Sequence, residues 1–364
     1  MKKIAAIPIV LLSAAALLTC LDVFPNRKDH SLLVANAEDK ADEDTDQERD
    51  PALPEIDTSI QIQSGAKIAV VSKSTKGEFW SLVKNGMEQA INDINEAYGL
   101  EGDDKISMTF EGSENEEDVE NQVNTLDAVI AENPDVLCVS AGDESSCQAQ
   151  LEAAKENGIP VITFDSDFSS GELVSEFLGT DNQQLGKLAA THLAEAMDSE
   201  GMVAVFSGPE KTESCKDRVT GFLSEISAYS GIEVVQVIYS DQVEDMEAAI
   251  QGVFSIYPKL GGVFCTNGDI SESYLSLAKS AEHEDIPFVG TDATKAQVEA
   301  IRGGTEIGAV SQQPYILGYQ TIWEAVQQTT QEDTATISKQ TRLFDPAWID
   351  VAALDDDNYG NYIY

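Results

Sequence analysis

The sequence predicts an α/β protein of two doubly wound parallel-sheet lobes, joined by a multi-strand hinge, with a ligand cleft between them. Three observations predict it: short continuous apolar runs alternate with helical patterns, the alternation starts again midway, and the two series carry similar segments at their strand ends. A chain of 364 residues also exceeds what one typical core supports.

In the first series, Ala66 to Ser72 is a continuous apolar run, as expected of a strand buried on both faces of a parallel sheet. From Phe79, apolar residues recur every three or four positions (Val83, Met87, Ala90, Ile94, Ala97), which is one face of a helix. Strand Ile106 to Phe110 follows, then helix Glu116 to Glu132 with Val119, Val123, Leu126 and Ile130 on one stripe. Strand Val136 to Val139, a helix to Asn157 closed by Gly158, and strand Pro160 to Phe164 complete the series. The second runs through Met202, Glu233 to Tyr239, Gly262 to Cys265, Pro287 to Val289 and Ile307 to Val310, with helices between. Connections of this kind are right-handed.

The lobes echo each other. Ile159-Pro160-Val161-Ile162-Thr163-Phe164-Asp165 and Ile286-Pro287-Phe288-Val289-Gly290-Thr291-Asp292 each end a strand on Asp, and Cys138 to Asp143 parallels Cys265 to Asp269. Ligands of open parallel sheets sit outside the carboxyl ends of the strands, so Asp165, Asn267 and Asp292 fall where binding belongs.

Ahead of the body, Lys2 and Lys3 precede the apolar run Ile4 to Leu21, the order of an export signal. Residues 1–25 are expected to be a signal or membrane anchor. Cys20 as a lipidation site, an uncut anchor and cleavage near Ala35-Asn36-Ala37 with release all stay open. Residues 26–65 are expected to be an acidic disordered stalk, since Glu38 to Glu55 holds nine acids against Lys40 and Arg49. Asp42, Asp44 and Asp46 imitate the start of a calcium loop, but Gln47 and Leu53 stand where its Gly and Glu belong.

With 65 acidic and 22 basic residues the formal charge is −43, and no basic cluster is present, which argues against a nucleic-acid partner. Cys138, Cys147, Cys215 and Cys265 are scattered singly and the three histidines are dispersed, so no disulfide framework, metal site or cofactor is expected. The nucleophile elbow, the zinc-protease helix and the phosphate loop are all missing, which leaves no signature of an enzyme. A sugar-responsive repressor would need a basic helix-turn-helix where the apolar signal and acidic segment lie.

Seven segments in order, from Ala66 to Phe344, carry a family likeness: Ser72 to Trp80, Ile162 to Ser166, Gly179 to Asn182, Lys216 to Phe222, Thr266 to Asp269, Val289 to Asp292 and Ser311 to Pro314. In these the chain resembles the periplasmic-type (type I) solute-binding proteins of the ribose, galactose and xylose class, the ligand-capturing components of sugar ABC importers. The resemblance implies a monosaccharide or related polyol as ligand, stacked on Phe79 and Trp80 and bonded by Asp165 of the first lobe. It implies contacts from Arg218, Asn267 and Asp292 of the second lobe and from Gln312 at a crossover. Lys73 and Lys76, unusual in so acidic a chain, are expected within reach of the cleft and point to a ligand with a negative or strongly polar group. Sugar hydroxyls both donate and accept, so carboxylates, guanidinium and carboxamides satisfy them, while the C–H face suits an aromatic ring.

Ribose binders of this class usually have Arg after the first-lobe Asp, and here Ser166 stands there; Asp241 replaces an aromatic. Both departures argue for a ligand other than ribose. Each residue also has a plainer reading: Trp80 as core, Arg218 paired with Asp217 or Glu213, Asp165 and Asp292 as caps, Asn267 as a turn with Gly268.

The expected first lobe is 66–180 plus 314–341, the second 181–313 plus 342–354, and the tail 355–364. The resemblance implies a membrane ABC permease as partner, or alternatively a sensor kinase or chemoreceptor. Nothing in the sequence calls for more than a monomer tethered outside the cell through its N-terminus.

Overall fold

The computed structural model describes residues 53–169, 171–281, 283–330 and 339–355. The expected signal, most of the stalk, the calcium-like run and the end of the tail lie outside them. Among the described residues no helix is long and apolar enough to cross a membrane.

The first half gives β1 (Lys67–Ser74), α1 (Glu78–Ala97), β2 (Ser107–Ser113), α2 (Val119–Ala131), β3 (Val136–Val139), α3 (Gln148–Glu156), β4 (Val161–Phe164) and β5 (Glu176–Thr180). The second gives α4 (Asn182–Ala196), β6 (Glu200–Ser207), α5 (Glu213–Ile226), β7 (Gly231–Tyr239), α6 (Met246–Ile256), β8 (Leu260–Cys265), α7 (Gly268–Ser280), β9 (Phe288–Thr291), α8 (Lys295–Gly303) and β10 (Gly308–Ser311). Then come α9 (Pro314–Gln328), β11 (Gln340–Phe344), β12 (Ala347–Ile349) and α10 (Val351–Leu354).

The strands form two six-stranded sheets of matching order, β11-β5-β4-β3-β1-β2 and β12-β10-β9-β8-β6-β7. The first is wholly parallel, whereas β12 closes the second antiparallel to β10. Alternation along each strand divides the core into two faces. Ile68, Val70, Ile162 and Phe164 pack with α1 and α9, while Ala69, Val71, Leu137 and Val161 pack with α2 and α3. The second lobe repeats this arrangement, with Val203 and Val205 facing α4 and α5, and Ala204 and Phe206 facing α6 and α7.

The outer helix pairs cross on glycines. A Cβ at Gly86 would lie 2.0 Å from the Tyr315 carbonyl oxygen, and one at Gly318 2.0 Å from that of Val83. In the second lobe Gly186 and Gly221 stand in the same relation to Arg218 and Gln183. Backbones this close leave no room for any other residue.

Three expectations are corrected. The stalk does not extend to 65: Leu53, Ile60 and Ile62 pack on the first core, and the Tyr98 hydroxyl donates to the Ile60 carbonyl at 2.7 Å. The third crossing falls at Asp345-Pro346 rather than Thr341-Arg342, because all of β11 pairs with β5 in the first sheet. Residues 342–344 thus belong to the first lobe. Residue 355 is not the start of a separate tail but the C-cap of α10, and the extension before it is structural: Trp348 of β12 stacks on His192, with ring centroids 3.8 Å apart.

Candidate functional site

The polar residues of the site follow directly from where the apolar strands stop. Ser140, Asp165, Thr266, Asn267, Asp292 and Gln312 come immediately after β3, β4, β8, β9 and β10, and Lys73 is the penultimate residue of β1. Facing sheets therefore bring them together across the cleft. Lys73, Phe79, Trp80, Asp165, Arg218, Asn267, Asp292 and Gln312 all line one cavity of about 180 Å³.

The lobes meet around it. Ser166 Oγ lies 2.7 Å from Ser214 Oγ, the Thr212 hydroxyl donates to the Gly142 carbonyl at 3.1 Å, and the Lys295 N–H donates to Glu78 at 2.9 Å. These contacts pair the first lobe with the second, so the cleft is closed.

Arg218, on the inner face of α5, is only 3% exposed. Its Nε donates to Asn182 Oδ1 at 2.8 Å, one Nη to the Thr266 carbonyl at 2.7 Å and the other to Gln312 Oε1. Three of its five N–H groups are thus occupied, leaving two for a ligand. Gln312 also donates to Asp292 Oδ1, so it links Arg218 to Asp292 rather than standing free. The other oxygen of Asp292 accepts the Gly268 N–H at 2.8 Å. Asn267 caps α7 by accepting from Ile270 N at 3.1 Å, and it lines the cavity as well.

Asp165 Oδ2 accepts from Lys73 Nζ at 2.7 Å and from the Ser140 hydroxyl at 3.0 Å. Its Oδ1 accepts nothing among the described residues. Burial opposes the charge on Asp165, but Lys73, Arg218 and these hydrogen bonds prevail and hold the carboxyl below its ordinary range. Asp292 is shifted the other way, because burial outweighs Arg218 and its two hydrogen bonds.

Trp80 satisfies both of its readings. It belongs to the first core, 3% exposed and edge-on to Phe164 and Phe79, yet it also lines the cavity. Its indole N–H donates to Glu116 Oε1 at 2.6 Å. Arg218 pairs with neither Asp217 nor Glu213, and the Lys76 ammonium is paired with Glu114 at 3.3 Å on the exposed rim. Lys73 is neutralised by Asp165. Neither lysine is left over for an acidic ligand.

The sequence reading missed Glu78, Glu116, Ser214, Asp269 and Glu272, which also line the cavity. It missed Asn182 too, which fixes Arg218 from the start of α4. Asn182, Glu78 and Asp269 stood within quoted segments without being singled out; nothing in the sequence marked Glu116, Ser214 or Glu272.

A family model described as "Periplasmic binding protein domain" matches residues 68–333. The D-ribose/D-allose-binding protein of Pseudomonas aeruginosa is 22% identical over 253 residues, covering 68% of this chain and 76% of that protein. The ribose import binding protein of Escherichia coli is 22% identical over 252 residues, covering 69% and 80%. Among solved structures, a carbohydrate transporter solute-binding protein from Agrobacterium radiobacter, in complex with D-arabinose, superposes with a TM-score of 0.73 at 24% identity, covering 82% of this chain and 99% of that one. An ABC transporter solute-binding protein from Agrobacterium vitis with bound D-fucose gives 0.74 at 24%, covering 82% and 100%. These likenesses establish the fold, and the family match spans most of the chain. The chain belongs to the periplasmic binding protein domain family and is a binding protein, not an enzyme.

Proposed function

We propose that this chain is an extracytoplasmic sugar-binding protein that closes on one monosaccharide-like or polyol ligand and delivers it to the permease of an ABC importer. The observation that carries the reading is the cavity itself. Side chains from both lobes converge on it, with two spare guanidinium N–H groups on Arg218, a spare oxygen on Asp165, a spare amide on Asn267 and an aromatic pair. That is the inventory a sugar needs: donors and acceptors for its hydroxyls and a flat apolar ring for its C–H face. The relatives that bind ribose or allose, and the neighbours that hold D-arabinose or D-fucose, support the ligand class.

The mechanism is a population shift. A ligand bonded to both lobes stabilises the closed state only through the contacts it makes there and not in the open state. Delivery requires the closed form to be presented to a membrane partner, which suits a tether formed by residues 1–25 on the outer face of the cell membrane. A thermal-shift panel of pentoses, hexoses, inositols and amino acids tests the ligand class, since binding to the native state raises the melting temperature by mass action. A shift with one sugar or polyol supports the reading; shifts confined to amino acids overturn it.

A further inference from the structure

Trp80 is enclosed on several sides. The Phe79 ring stands edge-on to it with centroids 5.0 Å apart, Phe164 packs against it at 6.4 Å, and the Lys73 ammonium lies 5.7 Å from its ring centre. With 3% of its surface exposed, the residue leaves little of its indole for a ligand to stack on. Phe79, its neighbour on α1, is the less buried ring of the pair and lines the same cavity.

The indole nitrogen is the ring's one polar atom, and without an acceptor it would be a buried, unpaired donor. Glu116 supplies that acceptor: its Oε1 takes the Trp80 N–H at 2.6 Å, a bond to a carboxylate and so stronger than one between neutral groups. Glu116 stands between β2 and α2 on a turn that holds its own shape. The Asn115 N–H donates to the Ser113 hydroxyl at 3.0 Å, and the Glu117 N–H to Asn115 Oδ1 at 3.0 Å. The charge of Glu116 also reaches Lys73. Burial opposes the charge on that lysine, but Asp165 and then Glu116 outweigh it, so an ammonium stays beside the Trp80 ring.

We propose that Glu116 is a positioning residue of the sugar site and acts through Trp80: the carboxylate fixes the indole, and the indole, set at right angles to Phe79, fixes the ring on which the ligand stacks. The proposal rests on the sugar-binding reading above and deepens it for that same cavity. It divides the work of the aromatic pair, with Phe79 facing the sugar and Trp80 supporting Phe79. A platform held in place before the ligand arrives does not have to be ordered by it, and that difference appears in the affinity.

The test is a double-mutant cycle of Glu116→Ala and Trp80→Phe in the full chain, read by calorimetry with melting curves to show that each variant is folded. The probe is the tightest binder among D-ribose, D-allose, D-arabinose and D-fucose or, if none of these binds, the tightest pentose, hexose or inositol of the thermal-shift panel. Glu116→Ala should weaken binding about fivefold or more, the scale of ordering two aromatic side chains on binding. Glu116→Gln keeps an acceptor and should bind within about twofold of the wild type, and in the Trp80→Phe background, which has no N–H to hold, Glu116→Ala should change affinity by less than about twofold. Equal affinity in Glu116→Ala and the wild type overturns the proposal, as does a Glu116→Gln variant that recovers nothing. A loss that persists in full in the Trp80→Phe background also overturns it, because Glu116 would then act on the ligand without Trp80. Each of these leaves the sugar-binding reading intact. If no sugar or polyol of the panel binds, the sugar-binding reading falls and the proposal with it.

Discussion

Lys73 Nζ at the end of β1 lies 2.7 Å from Asp165 Oδ2 at the end of β4, with both side chains nearly inaccessible to solvent. This pair answers the departure at Ser166: the cation missing from that position is supplied by Lys73, which also donates to the Ser166 hydroxyl at 3.0 Å. Removing one partner strands a buried charge. Lys73→Met is therefore expected to lower the unfolding free energy by about 3–5 kcal/mol, with Lys73→Met/Asp165→Leu recovering most of it. Urea denaturation of the two variants checks this; losses that simply add would show that the pair is not coupled.

The glycine crossings set a second expectation. Gly86→Ala and Gly221→Ala each drive a methyl group against a carbonyl oxygen of the facing helix, which side-chain motion cannot relieve. Each should cost about 1–3 kcal/mol, the range for overpacking. Gly252→Ala on α6, where an added Cβ meets nothing, serves as the control and should be neutral or slightly stabilising in the same denaturation experiment.

Glu213 opens α5 at the lobe interface, and its Oε2 is buried without a partner among the described residues. Burial first, then the carboxylates of Asp217, Asp165 and Glu144 against the Lys73 ammonium, raise its pKa to about 7. A raised carboxyl takes up a proton on folding, so its destabilising effect is largest above about 7 and fades as pH falls through that value. Glu213→Gln should raise the melting temperature at pH 8 and reduce the gain seen between pH 8 and 6. Glu176, also raised to about 7, keeps part of that gain in the variant. An unchanged pH profile would remove Glu213 from the account.

Much of the architecture was legible because buried parallel strands leave continuous apolar runs. The paired segments ending in Asp165 and Asp292 proved informative: both residues follow equivalent strands, and both take a left-handed backbone, φ 61° and 85°, that turns the chain into the cavity. β5, β11 and β12 were not legible. β5 (EFLGT) and β11 (QTRLF) mix polar residues with apolar ones and β12 is only three residues long, so none leaves a continuous apolar run. The lobe boundary slipped for the same reason. At the site, the residues at strand ends and those in the quoted helical segments, Phe79, Trp80 and Arg218, were found, whereas Glu116 and Glu272, outside every quoted segment, were not. One acid among 65 carries no signal until the fold brings it to the cavity.

The central claim is that the two lobes close on one sugar-class molecule held in part by Arg218. Calorimetric titration of the best-binding sugar or polyol into the wild-type chain and Arg218→Ala tests it most directly, with a melting curve of the variant to show that it is folded. The expected result is one site per chain, with affinity about 10- to 150-fold weaker in the variant, the equivalent of about 1.5–3 kcal/mol for hydrogen bonds to a charged group. Equal affinity in the two proteins would contradict it.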